Sequence, residues 1–233
     1  MFAILKRELK SYFYSPIPYV MTVVFIIISS VLFVTTNISH QSAEFNRALR
    51  NMANTLVFLI PVLTMRVLAE EKKNKTDVIL YTFPKPIYKT VVGKFLAVML
   101  VFLSMLSVTL AYPIICLIFG NASIIEFAVG YLGFILLGSS FISIGIFASS
   151  LSDNQIVSAI ISFAILLLMW LLDSIAGFFG GLTAVLMKAI SPVSKFEDFG
   201  VGIINFNSIV YFLSFTFYGL FLTERVLEKR RWD

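Results

Sequence analysis

The side chains in this sequence that could do chemistry are few and far apart. There is one histidine, His40, and one cysteine, Cys116. A metal site built on such residues needs several of them together, and a lone cysteine allows no internal disulfide. No His-Glu-x-x-His pattern is present to hold zinc on one helix face. Gly138-Ser139-Ser140 supplies hydroxyls with no histidine nearby to serve as their base. Asp173 lies at the end of a long apolar run. At mid-bilayer depth it would mark a proton or ion pathway; at the outer interface, beside the glycines that follow, it would be a solvated helix end. Both readings stand. The densest charge falls between residues 70 and 94, where Glu70 and Glu71 precede Lys72, Lys73, Lys75, Asp77, Lys85, Lys89 and Lys94. None of this makes a catalytic centre, so the elements that carry these residues come next.

Of the 233 residues, 59% are hydrophobic and 13% are charged. Soluble domains run near half apolar and a quarter charged. The mean hydropathy is +0.94, and the apolar residues cluster in runs long enough to cross a bilayer. These values exclude a soluble enzyme, a disordered chain and a disulfide scaffold. They point to an all-α integral membrane protein. The net charge of +5 is then read as lysine and arginine collected on one side of a membrane, not as a nucleic-acid footprint.

Six transmembrane helices are expected, at about 17–38, 54–69, 95–119, 127–150, 156–176 and 204–223. The strictly apolar part of the second is short, so its start is held loosely. Residues 2–14 read as an amphipathic interfacial helix, with Phe2, Leu5, Leu9, Tyr12 and Phe13 on one face. Pro16 and Pro18 end it, and the first apolar run reads as an uncleaved crossing because no small-residue cleavage site follows. The fourth run carries Gly130, Gly133, Gly138, Gly145 and several serines. Small residues let helices approach closely, either for packing within the chain or to line a substrate path. Residues 177–202, broken by glycines and Pro192, are too interrupted for a clean span.

Of the 18 lysines and arginines, thirteen fall on one side of these crossings and four on the other, with Arg66 near a boundary on the first side. The positive-inside rule therefore places both termini in the cytoplasm. The loop 70–94 is then cytoplasmic. An ordinary basic loop at anionic headgroups would explain its charge, but its order is more particular. Thr76 is a candidate cap and Asp77 suits the positive end of a helix dipole. A short helix closed by Pro84 and Pro86 would suit docking on a soluble partner.

In these features the chain resembles the membrane subunits of type 2 ATP-binding-cassette exporters, the ABC type-2 permeases. It is most similar to the subgroup of gliding-motility and nitrous-oxide-reductase-maturation permeases. The resemblance rests on Pro61 to Arg66 with Ala69 to Lys73, on Lys75 to Pro84 followed by Gly93 to Ala97, and on Ser191-Pro192, Phe196 to Phe199, Gly202 and Arg230-Arg231-Trp232. It implies a single transmembrane permease domain over 1–233 that is not itself an enzyme. Two cytoplasmic ATPase subunits would bind ATP and magnesium, and a second permease subunit, identical or related, would complete the membrane part. It also implies an N-terminal elbow helix and a coupling helix at about 75–83. The segment 177–202 becomes a pair of re-entrant outer helices. The residues carried over are Glu70, Glu71, Thr76, Asp77, Leu80 and Pro84 for coupling, and Gly180, Gly181 and Pro192 for an outer gate. The acidic pair is expected to anchor the lever to Lys6 or Arg7. Substrate does not transfer within the family. An ATP-independent transporter or channel, or a membrane anchor of a larger complex, is the alternative, with Asp173 as the residue that would favour the former.

Overall fold

Where no water is available, a backbone must bond to itself, so long apolar runs become helices. The computed structural model describes residues 2–40, 45–75, 87–120 and 123–232. Every regular element among them is helical. They are α1 (Phe2–Tyr14), α2 (Ile17–Phe33) with a π-helical turn at Val34–Ile38, α3 (Phe45–Thr64), α4 (Arg66–Lys73), α5 (Ile87–Thr109), α6 (Ala111–Phe119), α7 (Ile124–Leu151), α8 (Gln155–Ala176), α9 (Leu182–Ile190), α10 (Pro192–Gly200) and α11 (Phe206–Trp232). Six helical stretches are long and apolar enough to cross a membrane: Ile17–Ile38, Phe45–Lys73, Ile87–Phe119, Ile124–Leu151, Gln155–Ala176 and Phe206–Lys229. This is the architecture of a multi-pass membrane protein.

Three boundaries differ from the sequence expectation. The second span begins at Phe45, not near residue 54. Phe45, Ala48, Leu49, Met52 and Ala53 form a buried stripe, while Arg47, Arg50 and Asn51 share the same turns. An average over hydropathy misses such an amphipathic start. The third span begins at Ile87, not 95, because Ile87, Val91 and Lys94 already face the core. The sixth does not end at 223. Residues 224–232 contain no glycine or proline, so the helix continues beyond its apolar part. The coupling helix expected at 75–83 lies outside the described residues, apart from Lys75.

Helix α7 is the hub and touches α3, α4, α5, α8, α10 and α11. In its most apolar window 78% of residues are buried, against 17% in α8. Its small residues receive neighbouring side chains. A Cβ at Gly145 would lie 2.1 Å from the Thr64 hydroxyl, one at Gly138 2.4 Å from the Phe102 ring, and one at Gly133 2.4 Å from Phe199. The glycines are therefore notches for α3, α5 and α10.

Helix α7 also repairs its neighbours. Pro61 interrupts the second span, and the helix re-forms after Met65. The first amide groups of a new helix have no partner within it. Ser149 Oγ accepts from the amides of Leu68 and Ala69 at 3.0 and 3.1 Å, and donates to the Met65 carbonyl at 3.0 Å. In the third span Pro113 has no amide for the carbonyl of Thr109 one turn back. The Tyr131 hydroxyl donates to that carbonyl at 2.9 Å.

The notches give a direct expectation. Gly145→Ala should cost about 1–3 kcal/mol of stability through overpacking. Gly180→Ala, with no atom within 4 Å of its Cβ, should change little. Thermal unfolding of both variants in detergent checks this contrast.

Candidate functional site

Four ionisable groups from three elements meet at the end of the bundle that holds α1 and α4. Lys94 of α5 is only 1% exposed, so its charge must be met by the protein. An ammonium has three protons to donate. Lys94 Nζ lies 3.2 Å from Glu8 Oε1, 3.0 Å from Glu71 Oε1 and 2.9 Å from the Val67 carbonyl. Arg7 Nη2 approaches the same two carboxylate oxygens, at 2.8 Å from Glu8 and 2.9 Å from Glu71. Two cations and two carboxylates make a neutral knot that ties α1, α4 and α5 together. The bond to Glu8, with Glu71 alongside, raises the Arg7 pKa above its ordinary value, against the opposing effect of partial burial.

A second set of contacts fixes α4. Tyr12 of α1 donates to the Leu63 carbonyl at 3.1 Å, and burial pushes its phenol pKa up, so it stays protonated. Arg66 donates to Ser15 Oγ, reaches Glu70 through Nε at 3.1 Å and sits 5.3 Å from the centre of the Tyr12 ring. On the far side Lys72 donates to the Ser150 carbonyl and lies 3.9 Å from Asp153. Together with the knot and the Ser149 bonds, these join α4 to α1, α5 and α7, and α1 to α3. A cleft of about 340 Å3 lies among Arg7, Tyr12, Arg66, Glu70, Glu71 and Lys94. The ion pairs and hydrogen bonds around it tie the foot of the second and third spans to α1.

The residues singled out from sequence separate. Glu71 is in the knot and bonds Arg7, one of the two cations expected for it. Glu70 instead pairs within its own helix with Arg66. Thr76, Asp77, Leu80 and Pro84 lie outside the described residues. They fall between α4 and α5, which the knot joins through Glu71 and Lys94. Lys94, Glu8 and Ser149 were not read as site residues. Lys94 shares a face with Val91, Val98 and Val101, and Glu8 shares one with Tyr12. That helical spacing was the available signal.

At the opposite end, Asp173 of α8 accepts a hydrogen bond from Ser194 of α10. Gly181 has φ +68°, a conformation glycine adopts without strain, and it precedes α9. Pro192 opens α10 and is buried. The two short helices between α8 and α11 are unlike each other. Helix α10 plants Phe196 and Phe199 in the core, while α9 has no buried residue. Asp198 holds the turn after α10, accepting from Asn205 and Ser208 at 2.9 Å each. Among the described residues no group of three or more histidine, cysteine or carboxylate side chains is placed to hold a metal.

Compared with protein-family models and with curated proteins, the chain matches none. Its site is therefore defined by geometry.

Lys94→Met removes the cation between two carboxylates and should destabilise the protein by about 3–5 kcal/mol, the cost of breaking a buried pair. Adding Glu8→Gln leaves Arg7 with Glu71 and restores neutrality. The double variant should therefore melt above the single one in detergent, as a double-mutant cycle would record.

Proposed function

We propose that this chain is a permease subunit of an ABC transporter of the type 2 exporter class. In this reading it pairs with a second permease and with two cytoplasmic ATPases, which bind ATP and magnesium. It lies in the cell membrane with both termini in the cytoplasm, which places α1 and α4 at the inner face. Helix α1 is the elbow helix, and the coupling helix falls within 75–83. The observation that carries the reading is the ionic knot of Arg7, Glu8, Glu71 and Lys94. It joins α4 to α5, the two helices that flank residues 76–86, so force applied there passes into the second and third spans.

The mechanism is a population shift. ATP favours the closed ATPase dimer, and a ligand moves an equilibrium only by its different affinity for the two states. The closed dimer draws the two coupling segments together. The knot carries that displacement into the spans without yielding, and the permeases rock from inward-open to outward-open. At the outer end α10 is held by Phe196 and Phe199, while α9 leans on α8 and α10. Helix α9, entered through Gly180 and Gly181, is the part of the exit free to swing. Export follows from the same family resemblance.

Purification from the native host in mild detergent tests the partnership. A soluble protein with a phosphate-binding glycine loop should accompany the chain in equal number. Asp77→Lys with Leu80→Glu should remove it without changing the permease's melting. Isolation of the chain alone, with no response to ATP, would overturn the reading.

A further inference from the structure

The apolar stripe that sequence gives α1 divides: Leu9 and Tyr12 turn to the protein, while Phe13 is left exposed. Tyr12 is buried and bonded to Leu63, Leu9 packs against the core, and Glu8 enters the knot. That side of the helix is consumed by the protein. The opposite side carries Lys6, Lys10, Phe13 and Tyr14, all exposed. Lys10 Nζ stands 5.6 Å from the centre of the Tyr14 ring. Phe13 continues this face onto the first span. Its ring meets Tyr19 edge-on at 6.5 Å, and the Tyr19 hydroxyl donates to the Phe13 carbonyl at 3.0 Å. Only Ser15 and Pro16 separate α1 from α2, whose most apolar window is 22% buried.

We propose that this outward face of α1, Lys6 and Lys10 with Phe13, Tyr14 and Tyr19, is a docking face for the headgroups of anionic phospholipids. Two things on the face choose that occupant. Its two lysines give it charge opposite to such a surface. Its aromatic rings lie where the chain enters a bilayer, the depth at which tyrosine and tryptophan concentrate. The contact is electrostatic and interfacial, so α1 is held at the membrane by headgroup charge and not by sinking its stripe into acyl chains. The knot lies on the other side of the same helix. Lipid charge therefore steadies the element that braces α4 and α5. The inference needs only that the helices span a membrane, and stands or falls separately from the transport reading.

Hydrogen exchange of the full chain in nanodiscs tests it. Phosphatidylcholine alone is compared with phosphatidylcholine containing phosphatidylglycerol. Exchange over residues 4–14 should slow with the anionic lipid, by about fivefold for each lysine engaged, and the difference should vanish at high salt. Lys6→Gln with Lys10→Gln should exchange equally in both lipids. Equal exchange of the wild type in both lipids would overturn the proposal, as would slowing that survives the double substitution. The salt and lipid comparison of the wild type decides the matter even if the variant does not fold. A face reserved for a soluble protein would be indifferent to lipid charge, and would appear as the first of the overturning results.

Discussion

Inside a bilayer no solvent is available to satisfy a freed backbone group or an unpaired charge, and the rest of this fold follows from meeting that demand. The second and third spans are both interrupted near a proline, Pro61 and Pro113. In each case α7 provides the replacement partner, Ser149 for the helix start after Met65 and Tyr131 for the Thr109 carbonyl. The buried charge of Lys94 obeys the same rule, with three acceptors for three protons. An unsatisfied polar group in such a setting costs several kcal/mol. Positions 149, 131 and 94 therefore tolerate few side chains.

This constraint makes the two ends of the molecule different. At one end α4 is joined to α1, α5 and α7, and α1 to α3, by charge, hydroxyl and backbone bonds. At the other, α10 is anchored by two buried phenylalanines, and α9 has none. In the proposed transport reading, a braced base with a more exposed element opposite is suited to carrying a displacement across a membrane. Softness at the base would dissipate the displacement before it reached the spans. The glycines of α7 serve the same end, since helices seated in notches move as packed bodies and not as independent rods.

Much of the architecture was legible in the sequence because the bilayer imposes one simple rule on composition. Apolar runs gave the number of spans, and Pro16 and Pro18 gave the end of α1. The link Ser152-Asp153-Asn154 gave the start of α8, where Asn154 Oδ1 accepts from the Ile156 amide at 2.9 Å. Positions set by contact between distant segments were not legible. Lys94 counts as one more loop lysine until Glu8 and Glu71 are placed beside it. The start of α3 looks polar until one side of it is seen to be buried. The stripe of α1 was visible, but not that other helices would take Leu9 and Tyr12 and leave Phe13 exposed. The difference between α9 and α10 depends on where Phe196 and Phe199 land, which the local sequence does not encode.

In the proposed transport reading the base moves as one piece while the far end opens. Spin labels placed at Lys73 and Tyr88, exposed positions flanking the segment between α4 and α5, report on the base. Labels at Thr183 of α9 in this chain and in the proposed second permease report on the far end. Distances are then measured in the intact complex with and without ATP. The account predicts an unchanged separation between Lys73 and Tyr88, and a clear change between the two Thr183 positions. A change confined to the base, or an ATP-independent distance at both ends, would contradict it.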